Sequence, residues 1–193
     1  MKKIAITGTI GSGKSYVSNL IKKNYHFPIL DVDVVAKQVR SHQARNQIIH
    51  YFGKQILTNK EIDPKKLGAI IFQDDQKRKA LEAMIHPAVY EEILKFMDVH
   101  QSSKLIFVEH PLVYELGWEH LFDEIWLVTC DPKVAIQRLI EYRGYNKEQA
   151  IQILSKQEEN ESKQKKANRM IYNDYEESLI KQLNTIMKEE QVC

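Results

Sequence analysis

A chain of 193 residues is long enough to bury a core of α/β size. Hydrophobic residues make up 43% and charged residues 28%, an ordinary soluble balance, and the formal net charge of +2 excludes the strong basic field of a nucleic-acid-binding protein. No apolar run reaches the length of a membrane span, and Cys130 and Cys193 have neither paired nor metal-like spacing, so a reduced, cytoplasmic setting is expected.

The first element is the apolar run Ile4-Ala5-Ile6, which breaks at once into glycines and so reads as a strand and not as a signal peptide. It leads directly into Gly8-Thr9-Ile10-Gly11-Ser12-Gly13-Lys14-Ser15, which fits G-x-x-x-x-G-K-[ST] at every fixed position. Glycines let the backbone take positive φ and turn N–H groups inward, and a helix starting near Lys14 and continuing from Tyr16 to Ile21 adds the positive end of its dipole. Such a loop cradles polyphosphate. Lys14 reaches the β- and γ-phosphates, and the Ser15 hydroxyl ligates a magnesium ion that bridges them. The alternative is a chance match in a Gly-rich turn, against which stands the strand before it and the helix after it. The loop identifies a cofactor class and leaves the reaction open.

His26 to Asp33 reads as a short strand ending in two carboxylates. If the strand persists, Asp31 and Asp33 point the same way at the carboxyl end, where ligands bind in open α/β sheets, and one of them accepts a proton from an attacking hydroxyl. In the other reading one carboxylate caps the following helix. From Val34 to Met97 the pattern is helical, with no strand expected. Gly53 ends one helix and Asp63-Pro64 begins another as cap and first-turn proline. Leu81, Met84, Ile85, Val89, Ile93, Leu94 and Met97 follow at helical spacing, interrupted by His86-Pro87, where the proline should kink or divide the helix. So many helices between two strands suggest an acceptor-binding insert.

Lys104 to Pro111 is apolar on both faces and reads as a central parallel strand. Glu109 ends it, either holding a water of a magnesium shell or capping the next turn, and His110 lacks the partner spacing of a metal ligand. Glu124 to Cys130 is a further buried strand, and Asp131-Pro132 starts a helix carrying Arg138, with Arg143 just past its end. Two arginines suit a polyphosphate, although an isolated arginine is commonly a solvated surface group. Asn146 to Gln149 forms a capping box for a short helix through Leu154, so helix, break and helix make a lid. Ser155 to Asn168 reads as an exposed helix of alternating charge, Arg169 to Asn173 as a fifth strand, and Leu179, Ile180, Leu183, Ile186 and Met187 as one face of a final helix docked on the sheet.

A guanine-reading N-K-x-D motif is missing, since Asn146-Lys-Glu-Gln and Asn59-Lys-Glu-Ile both lack the closing aspartate. Motors and transporter ATPases need larger domains. A small-molecule kinase remains, because phosphoryl transfer to an acceptor must exclude water.

In order along the chain, Thr7 to Ser15, Leu30-Asp-Val-Asp33, Phe52-Gly53, Leu67 with Phe72, Leu81 with His86-Pro87, Pro111-Leu-Val-Tyr-Glu115, Arg138, Gln157, Ala167-Asn168 and Asn173 resemble the dephospho-coenzyme A kinase family from end to end. The resemblance implies ATP-dependent phosphorylation of the ribose 3′-hydroxyl of dephospho-CoA, with ATP and Mg2+ as cofactors. It implies a P-loop three-layer α/β fold with a five-stranded parallel sheet, a helical acceptor-binding insert and a small lid. The single domain 1–193 then divides into a core of about 1–33, 104–137 and 169–193, an insert of about 34–103 and a lid of about 138–168. Asp33 becomes the base or hydroxyl-orienting group, assisted by Lys14 and Arg138; Gly11, Ser12, Gly13, Lys14, Ser15, Tyr16 and Arg143 become ATP contacts. His86, Pro87 and Pro111 join Asp33 as acceptor contacts, and Ser15 with Glu109 in the outer shell would serve the metal. The chain departs from the family pattern at Tyr16 for Thr, Thr9 for Gly, Asn168 for Asp, Ala135 for Gln and Glu109 for Asp, and Arg143 stands one residue late. Two other functions fit the motifs: a kinase of another nucleoside, nucleotide or small alcohol, and an ATP-binding regulatory protein without acceptor chemistry. Oligomeric state is not legible.

Overall fold

The computed structural model describes residues 1–155 and 160–190, without the side chains of 160–162. Gln157 and Cys193, singled out above, lie outside the described residues. In chain order the elements are β1 (Lys2–Gly8), α1 (Lys14–Tyr25), β2 (Ile29–Asp31), α2 (Val32–Ser41), α3 (Arg45–Phe52), β3 (Leu57–Thr58), β4 (Glu61–Ile62), α4 (Pro64–Gln73) and α5 (Asp75–Val99). There follow β5 (Leu105–Glu109), β6 (Glu124–Thr129), α6 (Pro132–Arg143), α7 (Lys147–Ser155), α8 (Asn160–Lys166), β7 (Arg169–Tyr172) and α9 (Glu176–Glu189).

The expected five-stranded parallel sheet is present, in the order β2-β5-β1-β6-β7. The first strand lies at its centre: Ile4 is opposite Phe107 of β5 on one side and Glu124 of β6 on the other, and both pairings are parallel. A central strand must be apolar on both faces, and Ile4, Ala5 and Ile6 are completely buried. One face packs Ile4, Ile6, Phe107, Trp126 and Val128 against Val17 and Ile21 of α1 and Leu179, Leu183, Ile186 and Met187 of α9, as the spacing of the last helix predicts. Phe107 and Trp126 meet edge to face with centroids 5.3 Å apart, the geometry ring quadrupoles favour. The other face buries Ala5, Val113 and Ile125 under Tyr114, Trp118 and Phe122. On the free side of β7 the Gln182 amide accepts from Tyr172 N–H at 3.0 Å and donates to Tyr172 C=O at 2.8 Å, closing backbone groups that an edge strand leaves open.

The chain forms two compact units, residues 1–29 with 100–193 and residues 30–99. In the second unit α5 packs against α2, α3 and α4. The expectation of helices alone fails here, because β3 and β4 form a two-residue-by-two-residue hairpin pairing Leu57 with Ile62. Its turn puts Asn59 and Lys60 at φ 50° and 67°, the left-handed pair that matches hairpin twist. Nor does Pro87 divide α5, which runs unbroken for 25 residues. Leu81 before the proline and Val89, Ile93 and Met97 after it are all buried, so packing holds both halves in one helix. Asp63 starts α4 as expected, accepting from Lys65 N at 2.8 Å and Lys66 N at 3.3 Å.

Of the two readings of Asp31 and Asp33, the helix cap is the one observed. Strand β2 stops at Asp31, whose carboxylate accepts from the N–H groups of Asp33 at 2.9 Å and Val34 at 3.2 Å and so caps α2. Asp33 therefore sits in the first helical turn, and the two carboxylates do not share a strand face. In the first unit the capping box is reciprocal, Asn146 N to Gln149 Oε1 at 3.0 Å and Gln149 N to Asn146 Oδ1 at 2.8 Å. Helix α8 is less solvated than its charges suggest: Lys163 pairs with Glu115, and Lys166 lies 5.7 Å over the Tyr114 ring.

Candidate active site

The site is built where β1 ends. Gly11 and Gly13 take φ of 78° and 82°, and Gly13 is the N-cap from which α1 begins at Lys14. The left-handed step at Gly13 swings the chain from strand into helix, a turn that glycine makes without steric cost. Within the loop Ser12 N donates to Thr9 O at 3.2 Å, and Ser12 Oγ, fully buried, donates to the same oxygen at 2.8 Å. Lys14 Nζ reaches Gly8 O at 3.2 Å, folding its stem back over the loop.

Helix α6 supplies the opposite wall. Thr9, Ile10, Gly11, Gly13, Lys14 and Ser15 line a cleft of about 220 Å³ together with Arg138, Leu139, Tyr142 and Arg143. Arg138 Nη1 lies 3.4 Å from both Gly11 O and Ser12 O. Arg143 is the last residue of α6, before Gly144 at φ 69°, so it ends the helix instead of following it. Below the loop Ser15 Oγ donates to Glu109 Oε1 at 2.7 Å, and Glu109 is 6% exposed. This pair offers two hard oxygen donors beside the phosphate loop. Among the described residues no cluster of three or more His, Cys, Asp or Glu side chains could hold a metal by itself.

Around this core, Pro111 O accepts from the buried Thr7 Oγ1 at 3.5 Å, and Tyr16, 41% exposed, is hydrogen-bonded to Glu176, which raises its phenol pKa. His110 is buried, accepts from Leu112 N at 3.2 Å and meets Trp118 edge to face. Burial pushes the Tyr114 phenol up to about 12, with Glu119 and Glu115 adding to it, and pushes the Cys130 thiol up as well, so both stay neutral.

The dephospho-CoA kinase family pattern matches residues 2–178. The dephospho-CoA kinase of Geobacillus kaustophilus is 35% identical over 192 residues, which cover 96% of this chain and 95% of that protein. This chain belongs to the dephospho-CoA kinase family. A solved structure from Thermus thermophilus superposes with a TM-score of 0.85 at 29% identity, covering 97% of each chain. A dephospho-CoA kinase from Campylobacter jejuni gives 0.73 at 28% identity, covering 98% of this chain and 99% of that one. As a dephospho-CoA kinase family member the chain is a transferase of the P-loop kinase type, it uses a nucleotide, and its reaction belongs to the final step of CoA biosynthesis.

The remaining expected site residues of this dephospho-CoA kinase family member lie in the second unit. Asp33 is exposed in the first turn of α2; His86 is half-buried and Pro87 exposed, on α5. Burial lowers the His86 pKa below 6.5 against the opposing charge of Glu82. Sequence reasoning passed over Tyr142, which stands one helical turn beyond Arg138 and shares its cleft. The i, i+4 spacing was the available signal.

Proposed function

We propose that this chain transfers the γ-phosphoryl group of ATP to the ribose 3′-hydroxyl of dephospho-CoA, giving CoA and ADP, with the residues in the following roles. The match of residues 2–178 to the dephospho-CoA kinase family carries this reading, on a chain whose phosphate loop and flanking arginines line one cleft. Gly11 to Tyr16 hold the nucleotide, backbone N–H groups and Lys14 taking the phosphates. Arg138 and Arg143 cover the same phosphates from α6, their planar forks suited to several oxygens at once. Asp33 orients the acceptor hydroxyl and takes its proton, while His86, Pro87 and Pro111 contact the acceptor.

Ser15 and Glu109 fit a magnesium ion, which keeps most of its waters and takes phosphate oxygens with one or two protein oxygens. When bound, magnesium neutralises charge on the β- and γ-phosphates. Positioning and charge neutralisation supply most of the rate, since a loose phosphoryl transition state leaves little covalent work for the protein. The helical unit serves as the acceptor-binding insert, and α6, the Gly144 break and α7 as a lid. The reaction is placed in the cytoplasm, where a reduced setting suits the two cysteines without paired spacing.

The experiment is ADP release with magnesium and ATP, with and without dephospho-CoA, followed by mass analysis of the acceptor. Acceptor-dependent release with one added phosphate is the expected result. Release with an unchanged acceptor, from folded protein that binds ATP, would overturn the assignment and turn the search to other nucleosides and nucleotides.

A further inference from the structure

Two carbonyl groups of the phosphate loop, those of Gly11 and Ser12, are held by side chains from α6 and from the ends of β6 and β7. Ser12 O accepts from Asn173 Nδ2 at 2.8 Å and from Arg138 Nη1 at 3.4 Å. Gly11 O accepts from Arg138 Nη1 at 3.4 Å and from Cys130 Sγ at 3.7 Å. No peptide bond among the described residues is cis, and a trans peptide sends its N–H in the direction opposite to its C=O. The peptide that carries Ser12 O also carries Gly13 N–H. The peptide that carries Gly11 O carries Ser12 N–H, which is already committed to Thr9 O at 3.2 Å. The donor on Ser12 O from Asn173 thus leaves Gly13 N–H pointing away from Asn173.

We infer that Asn173 is a positioning residue for phosphate binding, its side-chain amide holding the Ser12–Gly13 peptide so that Gly13 N–H faces the phosphates. The inference rests on the phosphate-cradle reading of the loop given under Proposed function. Asn173 is 2% exposed, and its own N–H donates to Thr129 O at 2.8 Å, so the last register of the β6–β7 pairing sets its height. It lies directly on the loop: a Cβ added to Gly13 would come within 2.2 Å of Asn173 Nδ2. The chemistry of the side chain matters. A carbonyl oxygen needs a donor, which the Asn amide supplies; an aspartate here sets two acceptors together, and an alanine leaves Ser12 O only the longer contact from Arg138. The guanidinium of Arg138 acts on the same peptide, drawing electron density toward Ser12 O and making Gly13 N–H a better donor.

The test measures binding of ATP and of inorganic tripolyphosphate by calorimetry in Asn173→Ala and Asn173→Asp, with the KM for dephospho-CoA and the urea midpoint of each variant. The isosteric Asn173→Asp keeps the volume of the site even if the smaller side chain of Asn173→Ala loosens it. Affinity for both phosphate ligands should fall about tenfold in Asn173→Ala and about a hundredfold in Asn173→Asp, with the KM for dephospho-CoA changed less than about twofold. Unchanged tripolyphosphate affinity in a folded Asn173 variant would overturn the inference, as would an equal loss for tripolyphosphate and dephospho-CoA, which marks general damage. Lys14→Ala serves as the control. If it too leaves tripolyphosphate binding intact, the phosphate-cradle reading itself fails; if it weakens binding while the Asn173 variants do not, only the inference falls.

Discussion

In the first unit the phosphate loop is continuous in sequence, and eight consecutive residues from Gly8 to Ser15 bring strand, turn, lysine and hydroxyl to one place. In the second unit the expected acceptor residues are scattered over two helices, Asp33 at the start of α2 and His86-Pro87 inside α5. Phosphate is recognised by backbone N–H groups, whose directions follow from local φ and ψ, so a short motif can specify it. An acceptor as large as dephospho-CoA must be met by side chains, and these are brought into place by helix packing. The contrast explains why the donor half of a kinase reads clearly from its residues and the acceptor half does not.

The same contrast can be broken by mutation. The largest expected effect is in the first unit: Lys14→Ala should lower acceptor-dependent ADP release by about a thousandfold, as expected for loss of a charge aimed at the transferring group. Asp33→Asn should lower kcat by roughly a hundredfold while calorimetric ATP affinity stays at the wild-type value, because the role proposed for Asp33 is on the acceptor hydroxyl. Near-normal turnover would remove Asp33 as the base. Glu109→Gln keeps the shape beneath Ser15 but removes the charge, and should raise the magnesium concentration needed for half-maximal activity by roughly tenfold. A change in ATP affinity at saturating magnesium, with no shift in the magnesium requirement, would argue for a purely structural Glu109.

The smallest effect concerns His86. Burial holds its folded pKa below 6.5. Between the folded value and 6.5 the unfolded chain binds more protons than the folded one, so stability is lost as pH falls through that window and is fully present above it. In His86→Gln the urea midpoint should decline less between about pH 7 and about pH 5.5 than in the wild type, by a fraction of one titrating group. Equal slopes would show that the imidazole does not sense folding.

Legibility followed the range of the interactions. The caps at Asp63 and the Asn146–Gln149 box each span a few residues, and both are visible as patterns in the sequence. The hairpin at Leu57–Ile62 escaped because its turn uses Asn59-Lys60 without glycine and its strands have only two residues each. Pro87 misled for a different reason: a local cost was outweighed by burial of Leu81, Val89, Ile93 and Met97. Asp31 could be read as strand or cap, and only the captured N–H groups of Asp33 and Val34 decide it. The contact of Asn173 with Ser12 joins residues 161 apart, a separation at which no pattern in one sequence points to a pair.

The place of β1 in the sheet also bears on how the protein is made. Strand β1 becomes the central one, and the neighbours that flank it come much later in the chain, beginning at Leu105 and Glu124. A nascent chain that has left the ribosome as far as α5 therefore carries the whole phosphate loop with nothing on either side of the strand beneath it. Closing those long-separated parallel pairings is entropically slow, and Ile4-Ala5-Ile6 stays open to wrong partners meanwhile. Nucleotide binding should thus appear late and abruptly during translation, once β5 and β6 have emerged, and ATP in the surrounding solution would favour the chains that have just completed the sheet.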